Sequence, residues 1–513
     1  MDASKETLEN LINNASLAVR DLYSLVKQDI AILNACDESL PPILKLVPEL
    51  RKDIEFVLAD VYSSYRAVIN AQTPIEKRLN LKNFRADMHE SFKLLYGFGS
   101  MRQHTTWAKI GKKIRILSDS EKNDNYRELQ ELYDTITTSI LAIESTEEEK
   151  DNRELTYHYD DDLLKVYQNI LDTNDEEKFS QRLISIMATL QDVLRFLHQI
   201  EFLEGIKGYQ LPKVETVGIS LLFVQRILAN KLYGNGRLRE VLDHILKNSS
   251  QIDDAARLEK GMCAFKEYAL SQNPLADIPE ADNMINLANT QLLLQIMLVD
   301  IATIVNAYVH SGSDPEYALT LRRLTITRVS TLSHLYGYSD TERSKSLWTL
   351  ICNMIPEGCS PLISELEKIQ SALEGLIDDA DKKKRALYAH LMDKRKSNVP
   401  NIISGIENIN LIEEFSKADA LLRVTKRVQN FLKDLMDKLG KDAHEKAEAS
   451  KAEMNAKFRA IREAVNNSNC PEDIRKSINE QTDKFERIIN DPLSFKKGSG
   501  PEIKFKCWGQ APK

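Results

Sequence analysis

Leu95-Tyr96-Gly97-Phe98 returns as Leu335-Tyr336-Gly337-Tyr338, 240 positions later (336 − 96). In the same register, with no gap, Asp60 falls on Asp300, Glu76 on Glu316, Leu79 on Leu319, Leu81 on Leu321 and Lys82 on Arg322. Further on, Arg153-Glu-Leu-Thr-Tyr-His158 matches Arg385-Ala-Leu-Tyr-Ala-His390 at a shift of 232 (390 − 158), an eight-residue deletion explaining the change. A period this long points to a duplicated domain, not to a solenoid of short repeats.

Periodicity gives the copies their class. Gly (18) and Pro (15) are scarce in the 513 residues, a composition that favours long helices over sheets with tight turns. Apolar residues recur at helical spacing over 3–34, 44–71, 74–96, a short segment around Trp107, 126–145, 149–171 and 176–205. Thr73-Pro74 reads as an N-cap followed by proline at the first helical position, Ser313-Asp314-Pro315 plays the same part later, and Gly97 ends a helix. Further helices are expected over 218–232, 238–248, 252–271, 281–310, 314–336, 341–354, 359–378, 380–396 and 408–438. Gly440 interrupts, and charged helices follow over 441–466 and 471–490. No period-2 strand pattern of useful length occurs. The expectation is an all-α chain of two tandem pseudo-repeated helical bundles, 1–206 and 218–440, with a charged helical extension and irregular basic tail over 441–513. Gly208 and Pro212 mark the first boundary.

Several classes of function lack support. A net charge of −8 argues against a protein that coats nucleic acid, while leaving room for a local basic groove. No basic-then-apolar leader opens the chain. The most apolar stretch, 292–309, carries Gln295, Asp300 and Asn306, so a buried helix is expected there and not a membrane span. The six cysteines form no C-x-x-C pair, which fits ordinary thiols in a reduced cytoplasm. Nucleotide, dinucleotide and zinc-protease motifs are missing, and no metal or cofactor is expected. Leu-Tyr-Gly at 95–97 and 335–337, with Trp107 and Trp348 a dozen residues later, reads as core-sealing aromatics.

Chemistry is suggested by Arg and His at a set spacing. R-x4-6-H occurs at Arg153/His158, Arg239/His244, Arg328/His334 and Arg385/His390, and the repeat aligns the first with the last. Five residues on one helix turn through about 500°, so the two side chains share a cleft only if the Arg sits at the helix entry or reaches around. Glu154 lies one turn before His158, on its face.

A helical bundle with this motif near the start of a late helix resembles the HEPN superfamily, and His158-Tyr159-Asp160 after Arg153 resembles its abortive-infection-type members. The resemblance covers 44–171 and, more faintly, 281–396. It implies a metal-independent endoribonuclease, or an inactive relative, in a bacterial defence or toxin–antitoxin setting. Carried over, it implicates Arg153, Glu154 and His158, then Arg385 and His390. Histidine is suited to proton transfer at the ribose 2′-hydroxyl and arginine to the charge developing on phosphorus. Ala386 departs from the polar residue usual after the Arg. Lys382, Lys383, Lys384, Lys394, Arg395 and Lys396 crowd the second motif and are the expected RNA-binding residues. Partners on this reading are RNA and a protein or a second copy, with no membrane. The alternative is a non-enzymatic scaffold or adaptor that binds a protein partner with its bundle faces.

Overall fold

The structure, a computed structural model, describes residues 15–97, 99–121, 124–143, 176–214, 237–248, 250–272, 279–355, 360–393, 396–468 and 471–490. The chain is all-α. In order come α1 (Ala15–Ala35), α2 (Pro42–Ile69), α3 (Pro74–Leu95), α4 (Thr106–Glu121), α5 (Asp124–Ala142), α6 (Glu176–Ile206), α7 (Arg237–Lys247), α8 (Ser250–Gln272), α9 (Pro279–Val309), α10 (Asp314–Leu335), α11 (Asp340–Arg343), α12 (Leu347–Asn353), α13 (Ser360–Glu374), α14 (Asp379–Ala389), α15 (Val399–Glu407), α16 (Leu411–Asn466) and α17 (Glu472–Asn490). Between α14 and α15, β1 (Met392–Asp393) and β2 (Lys396–Ser397) form a two-residue antiparallel ladder.

Local chemistry sets the helix ends. Thr73 accepts a hydrogen bond from the Glu76 N–H, and Pro74 supplies the preset φ of a first turn. Ser346 and Ser339 cap α12 and α11 in the same way. Gly97 (φ +76) and Gly337 (φ +85) leave α3 and α10 through the left-handed region. A Cβ at Gly337 would come within 2.5 Å of the Arg343 backbone nitrogen, so glycine is required there twice over.

The chain divides into compact units Met1–Leu432 and Lys433–Lys513. Helices on either side of 207–214 pack on one another within the first unit. Gly440 does not stop α16. A single glycine costs a helix interior only about 1 kcal/mol, and the neighbouring turns carry it.

Within the first unit, α2 and α3 form one antiparallel hairpin and α9 and α10 another. α3 packs on α9, α10 packs on α2, and the loops 70–73 and 310–313 lie at one end. Trp107, Tyr133 and Phe196 join α4, α5 and α6 in an aromatic cluster, with the Trp107 indole donating to Thr137 at 3.0 Å. Gly111 lies against the Tyr133 ring, where a Cβ would approach to 2.2 Å. The apolar window of α9 is 83 % buried by the surrounding helices, as a core helix must be.

α2, α3 and α10 are buried on nearly every face, so the polar residues on their inner faces need partners inside. They find one another. Lys82 of α3 donates to Asp300 of α9, and Arg322 of α10 donates to Asp60 of α2. The Asn306 amide donates to Glu76, and Arg66 Nε lies 2.9 Å from Glu316 Oε1. Each glutamate also accepts a backbone N–H from four residues upstream, Gln72 N at 2.8 Å and Gly312 N at 2.6 Å. Arg323 reaches the Asp60 carboxylate (2.7 Å), Ser63 (3.1 Å) and Asp87 (3.2 Å). Burial pushes the Asp60 carboxyl up, but the Arg322 and Arg323 charges overcome it and hold the group below the usual range. Burial, with the Asp60 charge adding to it, pushes Asp87 up to about 6. One arginine pair thus keeps one aspartate ionised and leaves the other to titrate in mild acid.

Candidate functional site

α14 is capped by Asp378, whose carboxylate accepts from the Ala380 N–H at 2.9 Å. It ends at Ala389, seven residues short of the expected end at 396. The reason is Asn398. Its amide donates to the carbonyls of Leu387 (2.9 Å) and His390 (3.1 Å), groups that a continuing helix would have paired with downstream N–H. His390 is therefore the C-cap, in an extended conformation (φ −118, ψ 115). This break leaves Arg385 within α14 and His390 just past its end. Arg385 Nε donates to Ser330 of α10 at 3.3 Å, and His390 Nδ1 lies 4.0 Å from Glu90 Oε2 of α3. The Glu90 side chain is 1 % exposed and that of His390 36 %.

Arg153, Glu154, His158, Lys394 and Arg395 lie outside the described residues. The rest of the expected RNA-binding set is only partly available. Lys382 donates to Glu342 at 2.5 Å and sits over the Tyr338 ring. Lys384 lies 3.7 Å from Glu414 and 4.0 Å from Asp381. Lys383 and Lys396 are exposed. The acids beside Lys382 and Lys384 reduce the local positive field that would attract phosphate.

The Arg328/His334 spacing is structural at its arginine. Arg328 is buried and donates to Asp381 (2.7 Å) and Glu414 (2.9 Å), while Lys417 bonds Asp378 and Asp381 at 3.0 Å each. Burial raises the Asp381 carboxyl, but Arg328 and Lys417 outweigh it and hold the group below its usual range. This network fastens α14 to α10 and α16, and so fixes where Arg385 and His390 stand.

A shallow cleft, partly open to solvent, lies at the loop end of the paired hairpins, lined by Ser63, Arg66, Glu76, Asn306, His310 and Glu316 among others. Both of its carboxylates already accept two hydrogen bonds, so they act as staples between helices and not as ligand-seeking groups. Among the described residues no group of three His, Cys, Asp or Glu side chains is placed to hold a metal ion.

Glu90, Ser330, Asp87 and Arg323 were not singled out from the sequence. A signal for the wider seam existed: an acid at 60 and 300, and a base at 82 and 322, in one register. Opposite charges inside an apolar helical pattern must be neutralised by each other. No family model, curated protein or solved structure matches this chain.

Proposed function

We propose that the protein is a non-enzymatic helical scaffold, with the first unit as a fixed platform that presents its helical faces to a protein partner. The observation that carries this reading is that the charged side chains at the centre of the unit pair with one another. Asp60, Asp87, Arg322 and Arg323 form one set, Lys82 and Asp300 another, and Arg328, Asp381, Glu414 and Lys417 a third. A catalytic centre needs donors and acceptors whose capacity is directed at a cleft. Here that capacity is used within the fold.

A second reading, the metal-independent endoribonuclease of HEPN type in a defence or toxin–antitoxin setting, is supported by one specific observation: His390, at the end of the helix that carries Arg385, is half-open to solvent with the Glu90 carboxylate 4.0 Å from its ring. One assay separates the two. The scaffold reading expects purified protein to leave single-stranded and structured RNA intact in EDTA, and expects Lys383→Glu to leave RNA affinity at low salt unchanged. Cleavage that disappears in His390→Ala, with an unchanged thermal midpoint, would replace the scaffold with the nuclease.

A further inference from the structure

We infer that the α2–α3 and α9–α10 hairpins are two copies of one module, and that they meet along a self-pairing surface whose fitting partner is another copy of the same hairpin. The inference is independent of both functional readings.

Its basis is reciprocity. In an isologous interface, a contact from residue i to residue j is accompanied by one from the equivalent of j to the equivalent of i. Two unrelated hairpins packed together carry no such obligation. With equivalents defined by the 240-residue register of the sequence, the Lys82–Asp300 bond becomes the Arg322–Asp60 bond, and both are present. The Asn306–Glu76 bond becomes the Arg66–Glu316 ion pair, and both are present. The Gln72 N–H to Glu76 bond becomes Gly312 N–H to Glu316, and both are present. At the far ends, Gly97 N donates to Phe92 O (3.4 Å) and Gly337 N to Leu332 O (3.2 Å), each glycine at positive φ. The pairs related in this way join helices at opposite sides of the bundle. α3 runs antiparallel to both α2 and α9, so the pseudo-two-fold axis lies along the bundle, and the two loops share one end.

The substitutions between copies keep the chemistry. The acceptors are identical, Asp60 with Asp300 and Glu76 with Glu316, while the donors vary as Lys82 with Arg322 and Arg66 with Asn306. A donor always replaces a donor. The symmetry breaks where Arg323 replaces Asn83 and Thr327 replaces Asp87, and there the new arginine of one copy bonds the aspartate retained by the other. Copy-specific residues have thus been absorbed by the same surface. That is how a self-pairing interface changes once both halves are fixed in one chain.

The test is an exchange of donors in the full chain: Lys82→Arg, Arg322→Lys, Arg66→Asn and Asn306→Arg together. Every site then receives the residue of its equivalent. The control carries Arg66→Asn with Thr303→Arg, which places the same arginine at a buried, non-equivalent position one turn away on α9. We expect the exchange variant to fold with a thermal midpoint within about 5 °C of the wild type, and the control to lose more than about 10 °C, as an uncompensated buried charge requires. A second measurement uses double-mutant cycles. In the exchanged chain, Asn306→Arg should couple to Glu76→Gln as strongly, within about twofold, as Arg66 couples to Glu316→Gln in the wild type. An exchange variant as destabilised as the control, or no coupling to Glu76, would overturn the inference.

Discussion

The hairpin seam and the C-terminal pair of helices use the same ion-pair chemistry at opposite depths. In the seam, Arg322 and Asp60 each have side chains 2 % exposed. In the second unit, Arg462 donates to Asp483 and Glu486 across α16 and α17 with all three partly exposed, and Asn455 pairs with Asn490. Buried, the pair is a condition of folding, because removing one partner leaves a charge where water cannot reach it. At the surface, water replaces a lost partner at little cost. The comparison shows that counting ion pairs reveals little; depth decides what each one does.

The largest expected effect is at Asp60. Asp60→Asn leaves Arg322 in the core without a carboxylate partner and Arg323 with Asp87 alone, and should cost about 3–5 kcal/mol, followed by fluorescence of the buried Trp107 and Trp348 during urea unfolding. A loss below about 1 kcal/mol would mean that the seam is wetter than its geometry. Next comes Gly337→Ala, which forces both a left-handed φ and a backbone clash at 2.5 Å. It should lose about 2 kcal/mol, more than Gly97→Ala, whose nearest approach is 3.0 Å.

A smaller effect of opposite sign is expected at Glu55. Its Oε2 has no hydrogen-bond partner among the described residues, and it lies near the Arg51 guanidinium that bridges Asp29 and Glu201. Burial, with the Asp29 charge adding to it, pushes this carboxyl up to about 9. Because the folded pKa exceeds the unfolded one, the folded state holds the proton longer. Stability falls as pH rises from about 4.5 to about 9 and is level outside that window. Glu55→Gln should therefore flatten the pH dependence of the thermal midpoint and raise the midpoint at pH 8, with no gain below pH 4.5. An unchanged slope would show that Glu55 ionises without cost. The smallest effect is Arg462→Ala, for which calorimetry should find no measurable shift in midpoint. A clear loss there would erase the contrast between the two regions.

Much of the helical frame was legible in the sequence. Thr73-Pro74 and Gly97 mark the ends of α3, Pro315 begins α10, and Trp107 and Trp348 are buried as expected. These features act over a few residues, and local chemistry determines them. The end of α14 was not legible, since it depends on Asn398 reaching back to Leu387 and His390, a tertiary act with no local signature. The unbroken α16 was hidden by Gly440, which reads as a stop wherever neighbouring turns are not weighed. The site was the least legible part. Arg385 and His390 were visible as a pair, but Glu90 is distant in sequence and sits in a helix that already looked complete. Its approach to His390 is visible only in the folded chain.

The seam also imposes an order on synthesis. Lys82 leaves the ribosome long before Asp300 does, and Asp60 long before Arg322. At roughly 5–20 residues per second, the first hairpin waits on the order of 10–50 s for the second. During that interval the hairpin presents Asp60, Glu76, Lys82 and Asp87 among its apolar residues. A charged inner face costs stability in the finished fold, but it keeps the incomplete chain hydrated and makes wrong apolar partners unattractive. Late-closing contacts normally expose a nascent protein to aggregation. Here the groups that close last are the ones water tolerates best.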